Sequence, residues 1–232
     1  MLTRPDLRDR LAARHPGLPI AGAEAPALHD PDTLARALER ILAATPGLDR
    51  RGQASFVLLR AVFWQACALF ALHLRDEVVP DRPTRLVTLQ TGDPGFDMAG
   101  GARHAAHSDR LVAMRADITA AATPLVRALR AAAGLSDAAA WRLISDAVAS
   151  AALFAGRAQQ AEADAARDAM VILADAPLHH TKMPTEFAPA PEGLRLRRAG
   201  CCRYHLADGG RRCDGCVLDR RATTTEWTGE AG

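Results

Sequence analysis

The run ASFVLLRAVFWQACALFALHL, residues 54–74, decides the fold. Apolar side chains fall on all sides of its helical period, whereas a surface helix keeps one polar face. The run therefore predicts a helix over 51–76 at the centre of a bundle. Arg60, Gln65 and His73 stand inside it. A membrane-spanning helix needs about 20 nearly uncharged residues, so a helix buried by other helices is expected and no transmembrane segment is predicted. Phe56, Phe63, Trp64, Cys67 and Phe70 are expected in the core, Cys67 as an inert buried thiol.

The composition agrees with a helical bundle. Of 232 residues 49% are hydrophobic, enough for a sizeable core, yet only 4% are aromatic, while alanine makes up roughly a fifth. Helices packed through small side chains fit that profile, and a β-sandwich or barrel does not. The 29 basic residues against 27 acidic ones leave +2, which calls for neither nucleic acid nor an anionic membrane. Every basic residue except Lys182 is arginine, a bias that makes only dense arginine clusters informative. Met1 to Gly17 holds charges and no signal-peptide core. The expected compartment is the cytoplasm, with a peripheral place at the inner face of the membrane as a variant.

Outward from the central helix, Pro5 to His15 predicts a short helix ended by Pro16. Asp30 with Pro31 opens another over 31–44, with Leu34, Leu38, Ile41 and Leu42 inward. Arg85 to Thr91, bracketed by prolines and glycines, predicts one or two short strands. Asp109 to Ala133 is helical with a bend or break near Pro124. Ser136 caps a single long helix from Asp137 to about Ala174, with Trp141, Ile144, Val148, Ala151 and Ala155 inward. Residues 1–176 thus form an alanine-rich helical body, 177–200 a proline-rich linker draped over it, 201–220 a cysteine module and 221–232 a loose tail.

Four of the five cysteines fall in that module: Cys201-Cys202, ten residues, then Cys213-Asp214-Gly215-Cys216. Clustered thiols in a cytoplasmic chain usually bind metal, and four thiolates make either a tetrahedral zinc site or an iron–sulfur cluster. Zinc ribbons use two separated Cys-x-x-Cys knuckles, and here only Cys213 and Cys216 form one. Adjacent cysteines in an extended strand point to opposite faces, so Cys201 and Cys202 converge only where the backbone turns, with Gly200 placed to help. A two-iron cluster divides its ligands between two metals, which puts iron–sulfur ahead of zinc and leaves both open.

The pattern Cys-Cys-x10-Cys-x2-Cys behind a helical body resembles the C-terminus of the FhuF family of ferric-siderophore reductases. Arg197 and Arg198 before the double cysteine, Arg203, Tyr204 and Leu206 after it, and Val217 and Leu218 after the knuckle carry the likeness, together with Trp64-Gln65 in the central helix. The resemblance implies a mainly α protein with a C-terminal iron–sulfur module in which Cys201, Cys202, Cys213 and Cys216 hold a [2Fe–2S] cluster. It also implies an oxidoreductase acting on metal ions: one-electron reduction of a cytosolic ferric siderophore, bound on the helical body, that releases Fe(II) for iron assimilation. The electron comes from an external donor (ferredoxin, flavoprotein or small reductant), since the chain carries no glycine-rich dinucleotide loop.

Eight arginines, at 195, 197, 198, 203, 211, 212, 220 and 221, surround the cysteines against Asp208, Asp214 and Asp219. A positive shell favours the more negative, reduced form of a cluster and raises its potential. Arg197, Arg198, Arg203, Arg211 and Arg212 are the candidates for contact with substrate or partner. No interleaved aromatics or recognition helix accompany them, so nucleic acid is not expected. The pairs His104/His107 and His179/His180 are of metal-ligand type but are read as solvated loop residues. Two other classes of protein fit the same residues: a zinc-stabilised helical binding protein, and an iron–sulfur redox sensor.

Overall fold

The central helix, α3 (Arg50–Asp76), is buried nearly from end to end, as its all-round apolar pattern requires. Asp49 opens it, its Oδ1 accepting from Gly52 N–H at 2.8 Å, and His73 and Arg75 stand in the last turn, where positive charge complements unpaired carbonyls. The computed structural model describes residues 3–15, 17–98 and 100–220, which are mainly helical. The expected loose tail, 221–232, with Arg221, and the helix-ending Pro16 lie outside the described residues.

Around α3 stand α1 (Arg4–Arg14), α2 (Pro31–Ala44), α4 (His107–Ala133), α5 (Asp137–Ala158) and α6 (Glu162–Ile172). Asp30 caps α2 through Thr33 N–H at 3.2 Å, and Ser136 caps α5 through Ala139 N–H at 3.3 Å. α5 packs along α3 and buries Ala140, Ala147, Ala151 and Ala155, small side chains that let two helix axes approach. Both helices are long and apolar enough to cross a membrane by length and composition, and both are mostly buried within the protein.

Several local expectations are corrected. The helix predicted from Asp137 to Ala174 is two helices. Gln160 turns into the left-handed region at φ 57°, Ala161 N–H returns to Gly156 O at 2.8 Å, and α6 folds back with Ala165 against Gly156. Alanine spacing continues across that turn, so the sequence shows no break. α4 runs unbroken through Pro124. The proline forfeits one hydrogen bond, and buried Ile118, Ala122, Leu125 and Val126 hold the helix on either side. Leu34, Leu38 and Ile41 fill the inner stripe of α2, whereas Leu42 is 42% exposed.

Strands are more numerous than the one or two expected. β1 (Val78–Pro80) pairs with β4 (Ala102–His104), and β2 (Arg85–Thr88) with β3 (Pro94–Asp97), both antiparallel. A third antiparallel pair, β5 (Glu186–Ala190) with β6 (Gly193–Arg197), replaces much of the linker predicted over 177–200. Phe187 stands opposite Leu196. Proline is tolerated in a two-stranded ladder because every strand is an edge, which is how Pro189 fits in β5.

Candidate metal centre

The chain leaves β6 at Arg197 and is at once gripped by α5. Asp146, fully buried in that helix, accepts Ala199 N–H at 2.8 Å, Gly200 N–H at 2.9 Å and the Thr185 hydroxyl at 2.7 Å. Burial raises its pKa, and the donors with the nearby Arg198 charge act against that shift. Gly200 lies so close to α5 that a Cβ there would stand 2.9 Å from Leu143 Cδ2 and 3.0 Å from its backbone nitrogen. Its role is close approach rather than the predicted turn. The turn after the double cysteine falls at Arg203, whose φ is 64°.

Beyond the turn the module is tied to the start of α3. Arg203 Nε donates to Asp49 Oδ1 at 2.9 Å and its second nitrogen meets Asp49 Oδ2, so one carboxylate both caps α3 and holds the module. That pairing lowers the Asp49 pKa. Tyr204 packs on Phe56 with ring centroids 5.8 Å apart, and Asp208 N–H donates to Pro46 O at 2.9 Å. The knuckle then closes: Cys216 N–H donates to Cys213 O at 3.1 Å, and Arg198 N–H donates to Gly215 O at 3.0 Å. Gly215 has φ 64°, and a Cβ there would stand 1.9 Å from Leu196 O, so the position tolerates no side chain.

These restraints bring Cys202 and Cys213 into contact with Cys201 and Cys216 nearby, although no three of the four sulfurs lie within 4.8 Å of one another. Cys202 Sγ and Cys213 Sγ are 4.0 Å apart, near the ~3.8 Å edge of a tetrahedron with metal–sulfur bonds of about 2.3 Å. Cys201 interacts electrostatically with Cys202 and Cys216, and Cys213 with Cys216. The backbone N–H groups of Arg203 and Tyr204 lie near the sulfurs of Cys201 and Cys202 and act to lower their pKa values. The Cys202 and Cys213 thiols share one hydrogen bond, which lowers the pKa of Cys202 and raises that of Cys213. Burial raises Cys201. Cys216 is 4% exposed. Four grouped thiols, one with its pKa lowered by its neighbour, are of the type that a thiophilic metal or an iron–sulfur cluster takes. Cys67 is buried in the core of α3, where burial pushes its thiol up.

The arginine shell separates into different roles. Arg198 acts on Cys202 and Cys213, and Arg203 on Cys201. Arg212 is paired with Asp219, Arg197 lies 3.9 Å from Glu186, and Arg211 lines a cavity with Tyr204 and Cys213. Arg220 donates to Pro184 O at 2.8 Å and to Glu186 at 3.0 Å, bracing the hairpin. Asp146 and Asp49, which position the whole module, were not among the predicted residues. An Arg142–Asp146 spacing of four suggests a surface ion pair instead, and no such pair forms.

The histidines are arranged differently from either predicted pair. His107 joins His73 and Asp168, whose ligand-type atoms lie within 4.8 Å of one another. Arg110 Nε can only donate, and it meets His73 Nδ1 at 3.0 Å, so His73 carries its proton on Nε2 and donates to Asp168 Oδ2 at 2.8 Å. His107 Nε2 takes Asp168 Oδ1 at 3.0 Å. A cation would have to displace both ring protons while Arg110 blocks the other tautomer of His73, so this cluster is structural. His180 Nε2 lies 3.3 Å from Ser145 Oγ, and burial lowers its pKa. Comparison of the chain with protein-family models and with curated proteins gives no match.

Proposed function

We propose that the chain is a one-electron ferric-siderophore reductase in which Cys201, Cys202, Cys213 and Cys216 hold a [2Fe–2S] cluster. The observation that supports the reading is the contact of Cys202 and Cys213 at 4.0 Å, with Cys201 and Cys216 nearby, on a backbone fixed from three sides. When bound, the cluster supplies single electrons. The chain's own residues would hold the thiolates and place the Arg198 charge near Cys202 and Cys213. Asp146 and Asp49 keep that frame rigid, so little reorganisation accompanies a change of charge. A ferric siderophore holds Fe(III) through hard anionic oxygens, and Fe(II), with its lower charge, is held more weakly, so one electron suffices to release the metal. An external donor restores the electron.

The test mixes anaerobically reduced protein with a ferric siderophore and a ferrous-specific chelator. Reoxidation of the protein with about one ferrous complex per electron delivered is expected. Persistence of the reduced protein beside ferric hydroxamates, catecholates and carboxylates alike would overturn the reading and favour a redox sensor.

A further inference from the structure

The aromatic residues of α3 do not all enter the core. Cys67 and Phe70 are buried as predicted, whereas Phe56, Phe63 and Trp64 are half-buried along a cavity of about 640 Å³. A second cavity of about 560 Å³, lined by Phe154, Leu194 and Asp214, shares Phe63, Ser150 and Arg198 with the first. The two make one groove that runs from α3 and α5 to the knuckle, since Asp214 lies between Cys213 and Cys216. Its volume suits a small-molecule ligand.

Two features mark the groove. Only ten of its residues are aromatic, and four of them, Phe56, Phe63, Trp64 and Phe154, line the groove. Phe63 packs edge-on to Trp64 at 4.9 Å and to Phe154 at 5.7 Å, and Phe154 stays 49% exposed, so rings that would be more stable under cover await it. The second feature is charge. Arg60 and Arg157 on the groove are paired with Asp93 and Glu162. Arg195 and Arg198 also line the groove, beside Glu192 and Asp214, without an ion-pair partner among the described residues. Of the two it is Arg198, its Nε donating to the Asp214 backbone oxygen at 3.4 Å, whose charge acts on Cys202 and Cys213. Arg198 stands where the groove meets the cysteines.

Resting on the reductase reading above, we propose that this groove is the docking site of the ferric chelate and selects anionic chelates whose iron-binding oxygens are carried on aromatic rings. The rings of the chelate stack on Phe63, Trp64 and Phe154, while Arg198 takes an anionic oxygen and turns the metal towards the cysteine module. Aliphatic hydroxamate chelates, uncharged at the metal centre and without rings, gain neither contact.

Gallium(III) complexes test the groove without any electron transfer, because gallium matches the ferric ion in charge and size but has no accessible divalent state. Binding of gallium tris-catecholate and gallium tris-hydroxamate to the metal-loaded protein is measured by calorimetry. The catecholate is expected to bind at least about tenfold tighter. Phe63→Leu with Phe154→Leu, which keeps the apolar volume and so the fold, should abolish most of that preference and leave hydroxamate binding unchanged. Arg198→Gln should weaken the catecholate about tenfold, with partial recovery in Arg198→Lys. Equal affinity for the two chelates, or wild-type catecholate binding in the double leucine variant, would overturn the proposal. Tight, groove-dependent gallium binding without reduction of the ferric counterpart would sink the reductase reading and leave the groove standing.

Discussion

Towards opposite ends of α3, roughly 30 Å apart along it, stand two clusters of metal-binding side-chain types, and they are completed in opposite ways. Near its C-terminus, His73, His107, Asp168 and Arg110 use up one another's donors and acceptors. Near its N-terminus, Cys202 and Cys213 touch with Cys201 and Cys216 nearby, while the carboxylates around them are occupied in holding backbone and arginine. A cluster built for structure satisfies its own polar atoms. One suited to a ligand would fix its backbone and leave its donor atoms over, as we propose for the cysteines. The identity of the residues alone does not separate the two cases; the second set of contacts does.

The largest effect expected from this contrast is on metal content. Serine in place of Cys201, Cys202, Cys213 or Cys216 should remove the bound metal and its colour, whereas His107→Ala or Cys67→Ser should leave metal analysis unchanged. Loss of metal in His107→Ala would erase the distinction between the two ends.

A second contrast sets two of the buried aspartates, Asp146 and Asp168, side by side. Asp146→Ala strands two backbone N–H groups and the Thr185 hydroxyl, and should cost about 3 kcal/mol or more in denaturant unfolding while accelerating loss of colour. Asp168→Ala should also destabilise, yet leave the rate of colour loss at wild type. Equal colour loss in both variants would show that Asp146 holds the fold and not the module.

Arg198→Gln should lower the reduction potential, because it removes the charge that acts on Cys202 and Cys213, and Arg212→Gln should change it less, because Arg212 is paired with Asp219. Potentiometric titration that ranks the two variants the other way would place the effective charge elsewhere in the shell.

The smallest effect is in pH. Burial lowers the pKa of His73 and of His180, so between the ordinary histidine value of about 6.5 and the lowered native value the unfolded chain binds more protons than the folded one. These groups therefore stabilise the fold above about pH 6.5, and that contribution is lost as pH falls. His73→Gln donates to Asp168 and accepts from Arg110 without titrating, and should flatten the decline in melting temperature from pH 7.5 to 5.5. An unchanged slope would contradict the assignment of His73.

Much of the fold is legible in one dimension because its signals are local. The unbroken apolar run fixes α3, Asp30-Pro31 fixes the start of α2, and Ser136 fixes that of α5. The convergence of the cysteines is legible for the same reason, since all four lie within sixteen positions. What depends on distant contact is not. The hairpin β5–β6 hides among prolines because two-stranded ladders accept them. Phe63 and Trp64 continue the apolar pattern of α3 although they face a groove whose other walls come from α5, β6 and the knuckle. Asp146 looks like a surface partner of Arg142, and its true partners follow it by 39 to 54 residues.

The account turns on what the four thiols hold, and elemental analysis of anaerobically purified protein, with acid-labile sulfide and a visible spectrum, measures that directly. A reddish protein with about two irons and two sulfides per chain, giving a one-electron signal in paramagnetic resonance after reduction, is the predicted result. Colourless protein with one zinc per chain and no sulfide would contradict it and make the cysteine module a structural clasp.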